Sequence, residues 1–272
     1  MDFPPSPETL LQGASSLGIL RELLESELER ARRIPCGTPF RDPAGRGAEG
    51  MGPFEAALRR GPLPVIAEFK RASPSLGAFA AGADLRERLA AYARGGAAAC
   101  SILAEPARFQ GRPEDFAQAR AVAGLPLLYK GFVCTEAHLD EAVALGAQAV
   151  LLIARMLGEH LPGFAAAARA RGLEPLVELH ELREIPAAQA ARARMVGWNA
   201  RDLSDFSVGP APAALLREAF PGQLLVRESG LGSPGQARAA LDEGFDAVLI
   251  GEALMRDPDP AAFLAGIRAV RP

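Results

Sequence analysis

The sequence has few cysteines and histidines, and these shortages argue against several kinds of protein. Three cysteines stand far apart among the 272 residues, at positions 36, 100 and 134. Their number is odd and their spacing fits neither zinc nor redox motifs, which argues against a disulfide scaffold. We expect small buried side chains in a reducing compartment. The three histidines show no metal-ligand spacing, so we predict structural or surface roles for them and no metal site.

Long apolar runs and an excess of charge of one sign are also missing. The longest uncharged apolar stretch, residues 142–154, is shorter than the roughly 20 residues of a membrane-spanning helix. The N-terminus has neither the basic nor the apolar region of a signal peptide. With 30 basic and 33 acidic residues the net charge is −3, which gives no general attraction to nucleic acid or anionic membranes. We therefore expect a cytoplasmic protein without nucleic-acid or membrane partners.

Lysine is the scarcest charged residue. Only Lys70 and Lys130 are lysine among the 30 basic residues, and all the others are arginine. A position that stays lysine against this bias is a candidate for proton transfer, because a lysine ammonium is tuned by burial and neighbours whereas arginine does not readily give up a proton. Chance survival of two lysines is the competing interpretation.

Short apolar runs alternate with segments of helical period from residue 65 onward. A spacing of about 20 to 35 residues suits a strand, a loop and a crossover helix, and continuous apolar runs are typical of parallel strands buried on both faces. Eight such units predict a single (β/α)8 TIM barrel of the α/β class. The rival doubly wound sheet lacks its G-x-G-x-x-G turn. The runs are Val65–Phe69, Ala97–Leu103, Leu125–Tyr129, Ala149–Ile153, Pro175–Val177, Met195–Trp198, Leu224–Val226 and Ala247–Ile250.

Residues 1–54 follow a different pattern and are predicted to form an N-terminal helical extension of a barrel domain, residues 55–272. A charged amphipathic helix is predicted from Leu17 to Arg33, with the arginines of Arg30–Arg33 on a solvated face. The Gly-, Pro- and Arg-rich stretch Ile34–Gly52 is predicted to be mobile and to serve as a linker if the extension moves.

Polar residues end several of the apolar runs, and in a barrel these strand ends share one mouth. Two lysines beside carboxylates in a partly dehydrated mouth can donate and accept protons, each such group contributing about 10²–10⁴-fold in rate. We therefore predict an enzyme active site. The strand-end candidates are Glu68, Lys70 and Ser73, then Glu105, Lys130, Glu178, Asn199 and Arg201, and finally Glu228, Ser229, Gly230, Gly251 and Glu252.

Small residues after strands seven and eight indicate a phosphate site. Ser229, Gly230 and Gly251 allow backbone N–H groups to approach an anion where barrels often bind phosphate. A small phosphorylated substrate is therefore expected. A turn glycine or a loop salt bridge is the competing interpretation for each residue alone, but their joint placement favours function.

The segment Val65–Gly77, with the sequence VIAEFKRASPSLG, closely resembles the signature of the indole-3-glycerol phosphate synthase family. The resemblance covers residues 55–270, and the helix from Leu17 resembles the family's N-terminal extension. Further matching segments are Ser101–Pro106, Leu128–Phe132, Val150–Ile153, Leu176–His180, Gly197–Leu203, Glu228–Gly230 and Leu249–Arg256.

This resemblance implies ring closure of 1-(2-carboxyphenylamino)-1-deoxyribulose 5-phosphate to indole-3-glycerol phosphate, with loss of carbon dioxide and water and without a cofactor. It implies that Lys130 is the general acid on the carbonyl and that Glu178 stabilises charge and handles a proton. The pair Glu68 and Lys70 is placed near the leaving hydroxyl and the substrate anions, and the donor of the dehydration proton stays open. The remaining implied residues are Asn199 and Ser229 (catalytic), Ser73, Phe109, Arg201 and Leu249 (substrate-binding), and Gly230, Gly251 and the Glu252 backbone (phosphate-binding).

The sequence departs from the family pattern at several positions. Gly131 stands where an aspartate usually follows the catalytic lysine, so we expect an altered charge network around Lys130 and a retained but altered activity. The alternatives are a paralogue that binds a phosphorylated aromatic ligand without turnover and a related barrel that isomerises a phosphoribosylated amine. Association with other tryptophan-pathway enzymes stays open. The further departures are Leu76, Arg112, Ala200 and Arg227.

Overall fold

The computed structural model describes residues 4–13, 18–34, 51–73, 77–80, 82–122, 124–201 and 207–269. Within these residues eight parallel strands close into a barrel, each paired with its neighbours in sequence and β8 with β1. The predicted TIM barrel is confirmed, and the doubly wound alternative is wrong. The strands are β1 (Val65–Phe69), β2 (Ala99–Leu103), β3 (Leu127–Lys130), β4 (Ala149–Ile153), β5 (Glu174–Leu179), β6 (Met195–Asn199), β7 (Leu224–Glu228) and β8 (Ala247–Ile250).

The apolar runs locate the strands but not all of their ends. The runs for β1, β4 and β8 match the observed strands at both ends, whereas β5, β6 and β7 continue through Glu178, Asn199 and Glu228. These polar residues stay in the hydrogen-bonded register of the barrel, in which Glu178 pairs with Gly197 and Asn199 with Glu228. An apolar criterion stops before such residues, although they are the ones that bring chemistry to the mouth.

Helices alternate with the strands and cover the barrel. Four of these helices end within two residues of a glycine that adopts the positive φ of a left-handed C-terminal turn: Gly96, Gly146, Gly172 and Gly244. A short antiparallel hairpin, Ala72–Ser73 with Gly77–Ala78, follows β1. The helices after β1 are α4 (Leu85–Gly95), α5 (Pro113–Val122), α6 (Glu136–Ala144), α7 (Ala154–Leu157), α8 (Leu161–Ala170), α9 (Ile185–Ala190), α10 (Ala213–Ala219), α11 (Pro234–Asp242), α12 (Glu252–Arg256) and α13 (Pro260–Ala269).

In the described part of the chain before the barrel there are three helices: α1 (Pro7–Gly13), α2 (Ile19–Ala31) and α3 (Pro53–Arg60). The amphipathic helix predicted from Leu17 corresponds to α2, which buries Leu20, Leu23, Leu24 and Leu28. Residues 35–50, most of the stretch predicted to be mobile, lie outside the described residues, as does Leu76. The predicted boundary after residue 54 falls inside α3, and the division into extension and barrel stays a prediction.

Helix α3 covers the end of the barrel at which the strands begin. The carboxylate of Glu174, the first residue of β5, accepts hydrogen bonds from the backbone N–H groups of Phe54 and Glu55, both 2.8 Å long. The buried Glu55 carboxylate in turn pairs with Arg194 at 2.8 Å, just before β6. This end of the barrel is therefore closed, and the opposite end is left for the site.

Two further expectations concern burial and membranes. Cys100 and Cys134 are buried free thiols, whose pKa values burial raises to about 12 for Cys100 and well above the usual range for Cys134. Cys36 lies outside the described residues. In the part of the chain that the structure describes, no helix has the length and apolar character needed to cross a membrane.

Candidate active site

A cavity of about 470 Å³ opens at the carboxyl ends of the strands. Its volume is typical of a small-molecule site. Every residue to which the family resemblance assigns a role lines this cavity: Glu68, Lys70, Ser73, Phe109, Lys130, Glu178, Asn199, Arg201, Ser229, Gly230, Leu249, Gly251 and Glu252. The structure therefore brings these residues together, while their individual roles remain predictions.

Lys130 ends β3 and stands among three carboxylates. Its Nζ lies 2.5 Å from Oε2 of Glu228, 3.5 Å from Oε2 of Glu178 and 4.0 Å from Oε2 of Glu68. These carboxylates belong to β7, β5 and β1, so the barrel closure itself assembles the cluster. All three glutamates are buried.

The ionisation of this cluster follows from burial opposed by charge. Burial alone would lower the pKa of Lys130, but the three carboxylates outweigh it and raise the pKa well above the usual value for lysine. Burial would raise the pKa of Glu68, yet Lys70 and Lys130 hold it below its usual value. For Glu228 burial prevails, and its pKa rises to about 7 although Lys130 opposes the shift. The site therefore holds a charged lysine, an ionised Glu68 and a carboxyl group poised to titrate near neutrality.

Lys70, just after β1, pairs with the same Glu68 from the other side. Its Nζ lies 3.0 Å from Oε1 of Glu68, and the hydroxyl of Ser101 lies 3.3 Å from Oε2. Gly251 leaves room for this pair, because a Cβ there would overlap Oε1 of Glu68 and stand 3.1 Å from Nζ of Lys70. Glu68 thus connects the two lysines of the chain across the floor of the mouth.

Asn199 organises the turn that follows β7. Its Oδ1 accepts hydrogen bonds from the Ser229 hydroxyl at 2.7 Å and from the backbone N–H of Arg201 at 3.1 Å. Ser229 has φ 62° and Gly230 has φ 75°, and a left-handed serine is a strained conformation of the kind that clusters at functional sites. The turn therefore presents Ser229 and Gly230 to the cavity in a fixed geometry.

The Glu252 side chain pairs with two arginines, Arg201 in the cavity wall and Arg256 outside it. Its Oε2 lies 4.0 Å from Arg201, and its Oε1 lies 3.4 Å from Arg256. The role of the Glu252 backbone in phosphate binding stays a prediction.

One wall of the cavity is apolar. Phe109 packs against Phe132 with ring centroids 6.0 Å apart. Glu105, which we grouped with the polar strand ends, does not line the cavity. Its carboxylate accepts hydrogen bonds from the backbone N–H groups of Ala107, Arg108 and Phe109 at 2.7–2.9 Å. Glu105 therefore shapes the loop that carries Phe109.

Sequence reasoning gave no role to several residues that the structure places at the site. Glu228 was noted only as a strand end, although it is the nearest partner of Lys130. Nε2 of His180 lies 3.4 Å from Oε1 of Glu178. Side chains two residues apart in a strand point to the same face, and this spacing from Glu178 could have indicated His180. The apolar wall also includes side chains that no strand-end argument finds: Ile19, Leu20 and Leu23 of α2, with Leu103, Leu151 and Ile153.

Two other features bear on the site. Arg71 binds Asp115 of α5 through two hydrogen bonds of 2.5 and 2.8 Å, which fixes the segment between Lys70 and Ser73. Among the described residues there is no group of three or more His, Cys, Asp or Glu side chains that could hold a metal ion.

The sequence and the fold both match those of known proteins. The model of a family described as indole-3-glycerol phosphate synthase matches residues 27–267. A protein named indole-3-glycerol phosphate synthase 2 from Streptomyces coelicolor is 42% identical over 249 residues, covering 91% of this chain and 92% of its own. An indole-3-glycerol phosphate synthase from Deinococcus radiodurans is 44% identical over 218 residues, 76% of this chain and 81% of its own. The crystal structure of a 3-hexulose-6-phosphate synthase has a TM-score of 0.57 at 17% identity, over 75% of this chain and 98% of that one, and supports the fold alone.

Proposed function

Because the chain belongs to the indole-3-glycerol phosphate synthase family, we propose that it closes the ring of 1-(2-carboxyphenylamino)-1-deoxyribulose 5-phosphate to give indole-3-glycerol phosphate, carbon dioxide and water. The observation that carries this proposal is the placement of Lys130, a buried charged lysine in the cavity wall within 4.0 Å of three carboxylates. The reaction needs a proton donor on a ketone oxygen, and a second proton for the departing hydroxyl.

The charge state of the cluster suits the first of these needs. The carboxylates keep Lys130 protonated at neutral pH, so the donor is loaded before the substrate arrives. When the anilino ring carbon attacks the ketone, the oxygen becomes strongly basic and takes the proton from Nζ. Glu178, 3.5 Å from Nζ, stabilises the positive charge that develops on the attacking amine system.

The second proton transfer belongs, in this proposal, to the pair Glu68 and Lys70. The 3.0 Å contact between them keeps a charged donor at the side of the cavity next to Gly251, where we place the substrate anions. Asn199 and Arg201 orient the carboxyphenyl part against Phe109, with Ser73 and Leu249 as further contacts. Gly230, Gly251 and the Glu252 backbone receive the phosphate.

The non-catalytic paralogue was suggested by Gly131, Leu76 and Ala200. Gly131 removes a carboxylate from the position after Lys130, but Lys130 still has three carboxylate neighbours. This supports an active enzyme over a binding protein. A cytoplasmic location and association with other enzymes of tryptophan synthesis stay predictions.

Replacement of Lys130 by arginine tests the proposed acid directly. Lys130→Arg keeps the positive charge but supplies a much weaker acid, so we expect kcat to fall by about 10²–10⁴-fold while substrate affinity changes little. Formation of the fluorescent indole product from purified enzyme and substrate gives the rate, and fluorescence titration gives the affinity.

The melting temperature of Lys130→Arg serves as the control for folding. A near-normal rate in the folded variant would remove Lys130 from its role. Wild-type protein that binds the substrate at micromolar concentration without making indole would establish the non-catalytic paralogue.

A further inference from the structure

Helix α2 belongs to the wall of the active-site cavity as well as to the N-terminal extension. Ile19, Leu20 and Leu23, all in its first half, line the cavity, and Leu20 and Leu23 are almost fully buried. The placement of this half of the helix therefore decides the shape of the apolar wall that faces the substrate.

The second half of α2 carries charged side chains that turn into the protein. Arg30, which we expected on a solvated face, instead donates from Nη1 to both carboxylate oxygens of Glu141, at 2.8 and 2.9 Å. Its Nη2 donates to the Tyr129 hydroxyl at 3.0 Å. The solvated-face prediction is thus wrong for Arg30, because α6 and β3 offer it an acceptor pair.

The same side chains form one connected cluster. The Tyr129 hydroxyl donates to Glu141 at 2.6 Å, Arg30 pairs with Glu27 at 2.9 Å, and Glu27 lies 3.1 Å from Nε2 of His138. Glu27, His138 and Tyr129 are at most 1% exposed. We call these five residues, Glu27, Arg30, Tyr129, His138 and Glu141, the α2 clasp.

The clasp ends beside the proposed acid. Tyr129 precedes Lys130 in β3, and its ring packs on Phe116 with centroids 5.6 Å apart. On the other side the ring fills the space next to Gly131, where a Cβ would lie 2.8 Å from Cε1 of Tyr129. The Tyr129 ring therefore packs beside the residue that follows Lys130, and its own backbone immediately precedes Lys130.

Breaking the clasp leaves charge without compensation in a buried place. A buried polar group that loses its partner destabilises the structure by more than the lost bond itself. Release of α2 toward solvent relieves that cost, since it lets the freed groups reach water. The clasp therefore adds a polar connection between the helix and the strand end to the burial of the α2 leucines.

We propose that Arg30 and Tyr129 are positioning residues, whose hydrogen bond fixes the cavity-lining half of α2 relative to the strand end that carries Lys130. This inference rests on the proposed synthase activity of the site. The substrate then meets the apolar wall and the proton donor in one geometry, and small displacements of such a geometry are costly in rate or affinity.

Two variants break the contact in different ways. Tyr129→Phe removes the hydroxyl but keeps the ring against Phe116 and Gly131, and Arg30→Met removes the charge. We expect KM to rise about tenfold in each variant, as for loss of a hydrogen bond to a charged group, with kcat reduced less than about threefold. The KM of the double variant should be no higher than that of the more impaired single variant, because both substitutions remove the same contact.

Arg21→Met is the matched control, since Arg21 lies on the same helix in an exposed pair with Glu25. We expect its KM to stay within about twofold of the wild type, because exposed pairs contribute little. Amide hydrogen exchange in α2 should be faster in Tyr129→Phe and Arg30→Met and unchanged in Arg21→Met. A role in global stability alone would leave KM unchanged at temperatures where the variants are folded.

The inference fails if both folded variants keep the wild-type KM, or if their effects on KM add in the double variant. If Arg30→Met does not fold, Tyr129→Phe decides alone, because it changes no apolar contact. If the wild-type protein makes no indole, the proposed function fails separately. Exchange in α2 then decides the clasp, and exchange in Tyr129→Phe as slow as in the wild type would overturn it.

Discussion

Glu228 is a buried carboxyl group whose charge state depends on opposing effects of similar size. It is 1% exposed, and burial together with the nearby Glu178 raises its pKa to about 7 against the attraction of Lys130. An unfolded glutamate has a pKa near 4.3. Between these two values the native protein binds more protons than the unfolded chain. The stabilising contribution of Glu228 is therefore complete below the lower value and is lost as pH rises toward 7.

Glu228→Gln should remove this pH dependence. We expect the free energy of unfolding of the variant, relative to the wild type, to increase between about pH 4.5 and pH 7 and to level off above that. Urea unfolding at several pH values measures the difference, and Glu218→Gln, at an exposed position, gives the matched control. A relative stability that falls as pH rises would mean that Lys130 prevails and the Glu228 pKa is lowered.

Single residues also show what the sequence could and could not predict. The strand-end candidates other than Glu105 line one cavity, because their position at strand ends in a barrel decides where they lie. Partners are a different matter. The sequence position of Glu105 did not reveal that its carboxylate binds the backbone of the loop that carries Phe109. That of Arg30 did not reveal its hydrogen bonds to Tyr129 of β3 and Glu141 of α6. The Arg30 contacts join segments that are 99 and 111 residues apart in the chain, so no local pattern encodes them. The Glu105 contacts reach N–H groups only two to four residues away, but they lie in a loop without a repeating pattern.

At the scale of elements, α3 and β5 are joined by one carboxylate. The Glu174 carboxylate accepts hydrogen bonds from the backbone N–H groups of Phe54 and Glu55 in the first turn of α3. A strand residue therefore caps a helix that is distant in the sequence. Burial raises the pKa of Glu174, although the two N–H groups oppose the shift. This capping contact lies at the end of the barrel opposite the cavity.

Glu174→Ala should therefore affect stability and not catalysis. We expect a loss of about 1–2 kcal/mol in the free energy of unfolding, the usual cost of removing a helix cap, with kcat and KM within about twofold of wild type. Chemical unfolding and indole formation on the same preparation test both halves. A rate that falls without a loss of stability would contradict the separation of the two ends.

The elements that the sequence missed share a physical reason. The eight strands were located by their continuous apolar runs, and helix α2 by its amphipathic period. Helix α12, with five residues, and the hairpin after β1 are too short to carry a period. They form because the barrel holds their ends in place, so their existence depends on tertiary contacts.

At the scale of the whole molecule, local charge matters more than net charge. The chain carries a net charge of −3, and the cavity holds the cations Lys70, Lys130 and Arg201 beside the carboxyl groups of Glu68, Glu178, Glu228 and Glu252. An anionic substrate therefore depends on individual cationic groups placed within the mouth and not on the net charge of the protein. Occupation of the mouth should in turn be visible in the stability of the entire fold, because a ligand that binds only the native state shifts the unfolding equilibrium.

Gly251→Ala tests this link together with the proposed phosphate cradle. Inorganic phosphate at about 100 times its Kd should stabilise the wild type by roughly 2.7 kcal/mol, or a melting temperature higher by about 5–10 °C. In Gly251→Ala the added methyl overlaps Glu68 and crowds Lys70, so we expect at least half of this shift to be lost. Gly222→Ala is the control, since nothing lies within 4 Å of its added Cβ. Equal shifts in all three proteins would place the phosphate away from Gly251, whereas loss in both variants would show that the effect is not specific to the cavity.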